Sequence, residues 1–324
     1  MIDFSSLSRR ISILIPGILI LFISSCSQPS YEVFRVGTNL WPGYEPLYLA
    51  RSNGYYPDNI RLVEYPNATE VLRAFRNNSL EAAALTLDEI LVLREYDIPV
   101  SIILVTDISE GGDVIVASAD IKDIKQLKGR TVGVESGALG AYMITRALEI
   151  NDVPLSSLKI KHMGVEQHKQ AFIDGKVDAV VTFEPVRTQL VEAGGHIIFS
   201  SRDIPGEIVD VIVVHNQFLE KHHSIIQTLI DGWFKAVSDI KEKPEVSAAT
   251  ISERLQITPA QVRASYEELL LPSRKENTYM LDTDKPALNQ NINRLKKIMV
   301  EHNIIRSDTP VDNLVVDTFV SHPD

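Results

Sequence analysis

Short apolar runs rich in β-branched residues alternate with amphipathic stretches along the chain after residue 32. The runs predict strands, and stretches whose apolar residues recur every three or four positions predict helices. We expect strands at residues 33–38, 60–65, 82–85 and 100–105, and helices at residues 47–54, 68–77 and 87–96. Strands that alternate with helices form parallel sheets, and ligands of such sheets lie beyond the carboxyl ends of the strands.

Two similar apolar runs divide the chain. Each starts with an aspartate, Asp113 or Asp210, that is followed by Val-Ile-Val. Between them lies a self-contained series of strands and helices, so we interpret the runs as two crossover strands and the intervening region as an inserted second lobe. The predicted lobes are residues 33–114 with 211–324 for lobe I, and residues 115–210 for lobe II.

After the second run the pattern is almost wholly helical. We expect helices at residues 225–240, 244–254, 259–270 and 285–302, packed against lobe I. The predicted fold class is therefore α/β, with two lobes joined by two crossover strands. Such lobes enclose a cleft, and hinge closure of a cleft is one way of trapping a small ligand.

One strand-to-helix junction offers a binding site for an acceptor-rich ligand group. Residues 131–134 form a β-branched run, and a helical pattern follows through residues 143–148. The unpaired N–H groups of the first helical turn face such a loop, and we expect Ser136 to be the N-cap. Ser136, Gly137 and Ala138 are the candidate ligand contacts. The alternative is an ordinary connection in which the serine serves only the helix.

Two further loops at predicted strand ends carry candidate ligand contacts. Trp41 and Tyr44 share a loop with proline and glycine, and their rings could offer flat faces to an aromatic or cationic group. Alternatively, both rings belong to the core or to the lobe interface. Thr86 and Asp88 follow the third strand and offer a hydroxyl and a carboxylate, although either could instead cap the next helix.

Four carboxylates fall at strand ends or crossovers that face the predicted cleft: Asp88, Glu135, Glu184 and Asp210. Glu184 also lies at the start of a predicted helix, where the helix dipole alone favours a carboxylate. Carboxylates around a cleft suit a ligand with N–H donors or positive charge and repel a free inorganic anion. The prediction is a nitrogen-containing small molecule rather than nitrate or bicarbonate.

The N-terminal 25 residues have the pattern of a signal peptide. Two arginines precede an apolar run, residues 11–23, which is shorter than the roughly 20 residues of a membrane span. Cys26, the one cysteine of the chain, follows small residues as in the bacterial lipobox. We therefore expect a lipidated Cys26 and a tether over residues 26–32. A single cysteine excludes an internal disulfide and a Cys-based metal site, and no metal site is predicted.

The charge balance argues against nucleic acid as a partner. The formal net charge of the chain is −11, and removal of the signal peptide, which takes away two arginines and one aspartate, makes it −12. Proteins that bind nucleic acid carry a basic patch instead.

Several motifs follow one another in the order of a known family. They are the lipobox at Cys26, Trp41-Pro42-Gly43-Tyr44 with Leu47-Tyr48-Leu49-Ala50, Leu127-Lys128-Gly129-Arg130-Thr131-Val132-Gly133-Val134, and Gly175-Lys176-Val177-Asp178-Ala179. With these motifs the chain resembles the substrate-binding lipoproteins of bacterial ABC importers, of the nitrate/sulfonate/taurine type. That group includes binders of thiamine-pyrimidine precursors.

The resemblance implies a two-lobed periplasmic-binding-protein fold of type II. It also implies a monomer without a cofactor that captures a nitrogen-containing or sulfonate-like solute and delivers it to an ABC transporter permease. The lipid on Cys26 would hold the protein to a membrane, at the periplasmic side or the outer face of the cell envelope.

Two alternatives from other classes remain open. One is a ligand-sensing lipoprotein that serves a membrane signalling partner, since its sequence could look the same. The other is an enzyme on the same fold. No catalytic residue is predicted, because the glycine at position 133 lies three residues before Ser136 and the Gly-x-Ser-x-Gly motif is therefore absent. The cysteine-rich stretch of the yeast-type pyrimidine synthases is also absent.

Overall fold

The computed structural model describes residues 32–135, 137–284 and 287–321. The predicted signal peptide, Cys26, all but the last residue of the tether, and Ser136 lie outside these residues. The elements given below belong to one unit, Val33–Asp324. Within the described ranges, no helix combines the length and the apolar character that crossing a membrane requires.

The strands form two sheets. They are β1 (Phe34–Thr38), β2 (Ile60–Glu64), β3 (Ala82–Thr86), β4 (Val100–Ser109), β5 (Val114–Ala117), β6 (Thr131–Val134), β7 (Lys159–His162), β8 (Ala179–Thr182), β9 (His196–Ser200), β10 (Val209–His215) and β11 (Leu269–Leu270). The first sheet has the order β11-β4-β10-β3-β1-β2, and the second has the order β7-β6-β8-β5-β9.

The helices cover these sheets. They are α1 (Glu45–Ser52), α2 (Ala68–Arg76), α3 (Leu87–Glu95), α4 (Ala138–Ile150), α5 (Val165–Ile173), α6 (Val186–Glu192), α7 (Asn216–Leu219), α8 (His223–Glu242), α9 (Pro244–Leu255), α10 (Pro259–Tyr266), α11 (Arg274–Leu281) and α12 (Leu288–Glu301). We call the first sheet with α1–α3 and α7–α12 the first lobe, and the second sheet with α4–α6 the second lobe.

Both sheets are mixed, because β5, β10 and β11 run antiparallel to their neighbours, so the prediction of parallel sheets holds only for the strands that alternate with helices. The series β1–β3 and β6–β8 are parallel, but β10 runs antiparallel to β3 and β5 runs antiparallel to β8. The chain leaves each sheet at the carboxyl ends of its parallel strands, and the strand that arrives from the other lobe starts at that same end. Asp210 therefore pairs with Thr86, and Val114 pairs with Thr182.

The two Val-Ile-Val runs each lie within one sheet, as parts of β5 and β10. The crossings between the sheets fall beside these strands, in residues 110–113 and 201–208. Ser109 and Ser201 join the crossings, because their Oγ atoms lie 2.9 Å apart and the Ser201 Oγ also accepts from the Gly111 N–H at 2.6 Å. The lobe limits at 114/115 and 210/211 lie close to these crossings and stay a prediction.

Two helix predictions near the C-terminus are wrong at their ends. The helix expected at residues 259–270 ends at Tyr266, and Leu269–Leu270 instead pair with the edge of β4. The helix expected from residue 285 begins at Leu288 and is preceded by α11, which was not expected.

The central strands of the first sheet are buried over almost their whole length, since helices pack on both faces. This packing fixes the backbone at the carboxyl ends of β3 and β4 and at the start of β10. Buried polar residues occur there, among them Thr86, Asp107 and Asp210.

Candidate functional site

A cavity lies where the strand ends of the two lobes face each other. Its lining comes from the first lobe (Asn39, Trp41, Tyr44, Ala68, Thr86, Glu89 and Asp210) and from the second lobe with its crossing (Asp113, Glu135, Gly137, Leu139, Gly140, Val181, Thr182 and Phe183). The loops after β1, β3, β6 and β8 all contribute, as expected for ligands of α/β sheets.

The aromatic loop after β1 is fixed by buried carboxyl groups. The Trp41 Nε1–H points between the two Asp107 oxygens, at 3.3 Å from each, and the Tyr44 hydroxyl donates to Asp210 Oδ1. Gly43 lies between the two aromatic residues, and a Cβ there would come within 2.0 Å of Asp107 Oδ2. The loop therefore needs glycine at this position to bring both rings to the cavity.

An aromatic pair joins the lobes at the cavity wall. The ring of Trp41 meets the ring of Phe183 edge to face, with centroids 5.4 Å apart and an interplanar angle of 86°. Aromatic rings prefer this arrangement because the positive edge of one faces the negative face of the other.

The start of α3 supplies a further carboxyl group. Glu89 accepts the backbone N–H of Thr86 at 3.0 Å, which is the reciprocal bond of a capping box. Asp88, one residue earlier, is buried, but it is not among the residues that line the cavity. Glu89 thus combines a helix-capping role with a place at the cavity.

The first turn of α4 also lines the cavity. The N-cap of this helix is Gly137, so the expectation of Ser136 at that position is wrong. Gly140 has no room for a side chain, since a Cβ would lie 2.9 Å from Val134 Cγ1 and 3.0 Å from the Glu135 carbonyl oxygen. The helix can therefore start close against the end of β6, with its free N–H groups toward the cavity.

Direct bonds hold the two lobes together on both sides of the cavity. On one side, Glu135 Oε1 accepts from the Thr69 N–H at 2.9 Å and from the Thr69 hydroxyl at 3.0 Å. On the other side, Arg187 Nη1 binds the Glu268 carboxylate and, at 3.3 Å, the Gly111 carbonyl oxygen. The structure therefore shows the two lobes closed on the cavity.

Four carboxyl groups line the cavity: Glu89, Asp113, Glu135 and Asp210. Burial raises the pKa of Asp113 to about 7, and burial raises the pKa of Glu135 as well. The pKa of Asp210 is raised by burial and by the nearby Asp107, and that of Glu89 by burial and by Asp88. Among the described residues that line the cavity there is no lysine, arginine or histidine.

Three polar atoms of the lining have no hydrogen-bond partner within the described parts of the chain. Asp113 Oδ2 and Thr182 Oγ1 lie on the second-lobe side and Thr86 Oγ1 belongs to the first lobe, and all three side chains are almost fully buried. Asp113 and Thr182 lie close together at the same end of two neighbouring strands of the second sheet, because Thr182 pairs with Val114.

Several site residues predicted from the sequence line this cavity: Trp41, Tyr44, Thr86, Gly137 and Asp210. Ala138 is the first residue of α4, and Ser136 lies outside the described residues. Glu184 is not part of the lining. It lies just before α6, accepts from the N–H and hydroxyl of Thr188 and pairs with Arg187 Nε at 2.8 Å, so its carboxylate serves the start of that helix.

Other lining residues were not predicted, among them Glu89, Asp113, Thr182 and Phe183. A signal for Asp113 was present, because it precedes the same Val-Ile-Val run as Asp210. Thr182 ends β8 and Phe183 follows it. Ligands meet the carboxyl ends of strands, and this rule points to both residues.

Two α/β lobes around a cleft, each with a mixed sheet, define the periplasmic-binding-protein fold. The alkanesulfonate-binding protein SsuA from Xanthomonas axonopodis pv. citri, bound to MOPS, matches with a TM-score of 0.72 over 88% of this chain and 96% of that one, at 13% identity. The desulfurization enzyme DSZB matches with a TM-score of 0.65 over 89% of this chain and 97% of that one, at 14% identity. The fold therefore carries both binding proteins and an enzyme.

The chain belongs to the NMT1/THI5-like family, whose model matches residues 41–247. A putative aliphatic sulfonates-binding protein of Escherichia coli (strain K12) is 23% identical over 257 residues, which are 74% of this chain and 76% of that protein. The predicted resemblance to substrate-binding proteins of ABC importers and the predicted two-lobed fold are thus confirmed.

Proposed function

We propose that this protein is the solute-binding component of an ABC importer for a small, nitrogen-containing organic solute. The solute would lie in the cavity between the lobes and pass from there to the transporter permease. We further propose that the lipid on Cys26 anchors the protein, as a monomer, in the cell envelope. The observation that carries the choice of solute is a closed cavity lined by four carboxyl groups and by no basic side chain of the described chain.

The arrangement of donors argues against an anionic solute. A sulfonate offers only acceptor oxygens and a negative charge, so its site needs N–H or O–H donors. Here two side-chain donors of the cavity wall are directed at carboxyl groups: the Trp41 indole at Asp107 and the Tyr44 hydroxyl at Asp210. A solute with N–H groups would instead find acceptors, and like charges across a site cost several kcal/mol.

The remaining donors suit one acceptor atom of such a solute. The first turn of α4 brings backbone N–H groups to the cavity beside Gly137 and Gly140, at the positive end of the helix dipole. Trp41 and Phe183 provide flat apolar surface. A heteroaromatic ring with an amino group and a ring nitrogen or carbonyl combines these three features.

Thermal unfolding of the soluble form, without residues 1–26, tests the choice of solute class. The panel contains amines, aminopyrimidines and flavins on one side, and nitrate, taurine and alkylsulfonates on the other. At 100 times its dissociation constant, a true solute adds about 2.7 kcal/mol to the free energy of unfolding. Stabilisation by a nitrogen compound supports the proposal, whereas stabilisation by a sulfonate or nitrate alone contradicts it. Refolding from denaturant beforehand removes any solute that co-purifies.

An enzyme is the second candidate, because DSZB shares the fold and because a carboxyl group with a pKa of about 7, such as Asp113, suits general acid–base work. Mass spectrometry of the solute after long incubation with the protein separates the two functions. A solute recovered unchanged supports binding, and a product that forms in proportion to the amount of protein supports catalysis.

A further inference from the structure

One side of the cavity holds acceptor atoms that the protein itself does not use. Asp113 Oδ2 and Thr182 Oγ1 have no hydrogen-bond partner in the described residues, although Asp113 is 3% exposed and Thr182 is 2% exposed. Buried polar atoms are otherwise almost always paired, because an unpaired one loses its bonds to water without replacement. Leaving these two atoms unpaired therefore costs free energy, and a hydrogen bond from a bound molecule would remove that cost.

The other carboxyl groups of the lining are engaged by the protein. Glu89 accepts from Thr86, Glu135 accepts from Thr69, and Asp210 accepts from Tyr44. Their partners come from helix starts and from the aromatic loop, so these carboxyl groups already help to hold the cavity in shape.

The backbone around Asp113 is fixed. Its N–H donates to Ser109 Oγ at 3.2 Å, and its carbonyl oxygen accepts from the Ser201 N–H at 2.9 Å. Ser109 ends β4, and Ser201 begins the second crossing between the lobes. On the next strand, Thr182 is held by the pairing of β8 with β5. The acceptor pair is thus in place before a ligand arrives, which lowers the entropy that binding costs.

The charge of the surroundings selects the kind of donor. An ionised Asp113 would share the cavity with three further carboxyl groups and with no basic side chain of the described lining. A neutral donor satisfies the unpaired acceptors but leaves the repulsion between the carboxylates. A cation satisfies the acceptors and also offsets that repulsion. The rings of Trp41 and Phe183 add faces that attract positive charge.

On the basis of the proposed function, we propose that Asp113 and Thr182 form the subsite for a positively charged N–H group of the solute, an ammonium or amidinium group. The protein then takes organic cations and rejects anions of the same size. Asp113 supplies the charge and Thr182 a second acceptor.

A matched set of probes tests this assignment by titration calorimetry at pH 7.5. Benzylamine, benzyl alcohol and benzenesulfonate share one ring and differ in charge. We expect benzylamine to bind with a dissociation constant below about 10 mM and at least about tenfold more tightly than benzyl alcohol, and benzenesulfonate not to bind. Tighter binding of benzenesulfonate, or no binding of benzylamine at about 10 mM, overturns the proposal.

Variants locate the effect. Asp113→Asn is expected to weaken benzylamine at least about tenfold and to leave benzyl alcohol within about twofold, and Thr182→Val to weaken benzylamine several-fold. Asp120→Asn is the matched control, because it removes one charge from an exposed position of the second lobe. Circular dichroism checks that each variant is folded, and Thr182→Val serves if Asp113→Asn is not.

The variants also separate this proposal from the proposed function. If a nitrogen solute from the panel binds the wild type and both variants equally, the solute-binding function stands and the subsite assignment fails. If a sulfonate binds and no amine does, both fail. A loss of amine affinity that follows Asp113→Asn but not Asp120→Asn supports both.

Discussion

The substitution Asp113→Asn should change the pH dependence of stability as well as ligand binding. In the ligand-free protein the buried Asp113 carboxyl group holds its proton up to a pH of about 7, because burial raises its pKa from 3.8. In the unfolded chain the same group ionises near its ordinary value. Between these two pH values the folded state binds one proton more than the unfolded state, so the free energy of unfolding falls as the pH rises.

The size of this fall follows from the pKa. Each pH unit between about 4 and 7 removes about 1.4 kcal/mol, and nothing further is lost above about 7. Between pH 5 and pH 8, Asp113 alone therefore lowers the free energy of unfolding by about 3 kcal/mol. Asparagine has nearly the shape of the protonated aspartate and does not ionise. The variant should therefore match the wild type near pH 4, exceed it by about 1.5 kcal/mol at pH 5 and exceed it by about 4 kcal/mol at pH 8.

Urea unfolding at pH 5 and at pH 8 measures this difference. Neighbouring carboxyl groups also titrate, so the quantity compared is the variant minus the wild type at each pH. Asp120→Asn is the control: bonds from Ser118 and Arg130 hold the pKa of this exposed group below its ordinary value, so its effect should not change between pH 5 and pH 8. If Asp113→Asn changes the free energy of unfolding by the same amount at both pH values, the reasoning that buried Asp113 keeps its proton up to a pH of about 7 is refuted.

Three further predictions concern the fold and the site. Asn277→Ala should lower the free energy of unfolding in urea by about 3 kcal/mol, because Asn277 Oδ1 accepts from the Val105 N–H at 2.8 Å and its Nδ2 donates to the Val105 carbonyl oxygen at 3.0 Å. Glu207→Ala should lower it by about 3 kcal/mol, because Glu207 accepts from Arg146 Nε at 2.8 Å and both side chains are largely buried. Calorimetry of benzylamine should show the affinity falling about tenfold for each pH unit below 7, as Asp113 takes up its proton, and levelling off above 7.

Exposed residues provide the controls for the two stability predictions. Tyr279, on the same helix as Asn277, is 71% exposed, and Tyr279→Ala should change the free energy of unfolding by less than about 0.5 kcal/mol. Glu301 forms an exposed pair with Lys297 at 3.8 Å, so Glu301→Ala should also change it little. If either control costs as much as its buried counterpart, burial is not the reason for the loss.

The alternating strands and helices of both lobes could be predicted because their apolar patterns are strong. The helix α11 was missed because only Asn277 and Leu281 of its residues are buried, so that no apolar stripe marks it. A local signal did exist, since Ser273 and Glu276 form a capping box at the start of this helix. Strand β11 has two residues and depends on the edge of β4, which no local pattern reveals.

The candidate site was predicted in part, for a topological reason. Trp41, Tyr44 and Thr86 follow strands of a parallel series, and the loops after such strands face the ligand. Asp113 precedes its strand, and in a parallel sheet the starts of the strands lie at the end opposite to the ligand. Only the antiparallel return of the chain brings the start of β5 beside the end of β8. The resemblance between the runs after Asp113 and Asp210 reflects this shared position.

Under the proposed function, the carboxyl groups would couple closure of the lobes to the bound solute. Glu89 and Asp210 come from the first lobe, Glu135 from the second and Asp113 from the crossing before β5, so the closed lobes bring carboxyl groups from both lobes to one cavity. Bringing like charges together is unfavourable, and protons on these carboxyl groups, whose pKa values are raised, lower that cost. The proposed cation would replace those protons and leave in place the hydrogen bonds between the lobes, such as that of Glu135 with Thr69. A ligand shifts an equilibrium only through its different affinity for the two states, and a cation among four converging carboxylates has that difference.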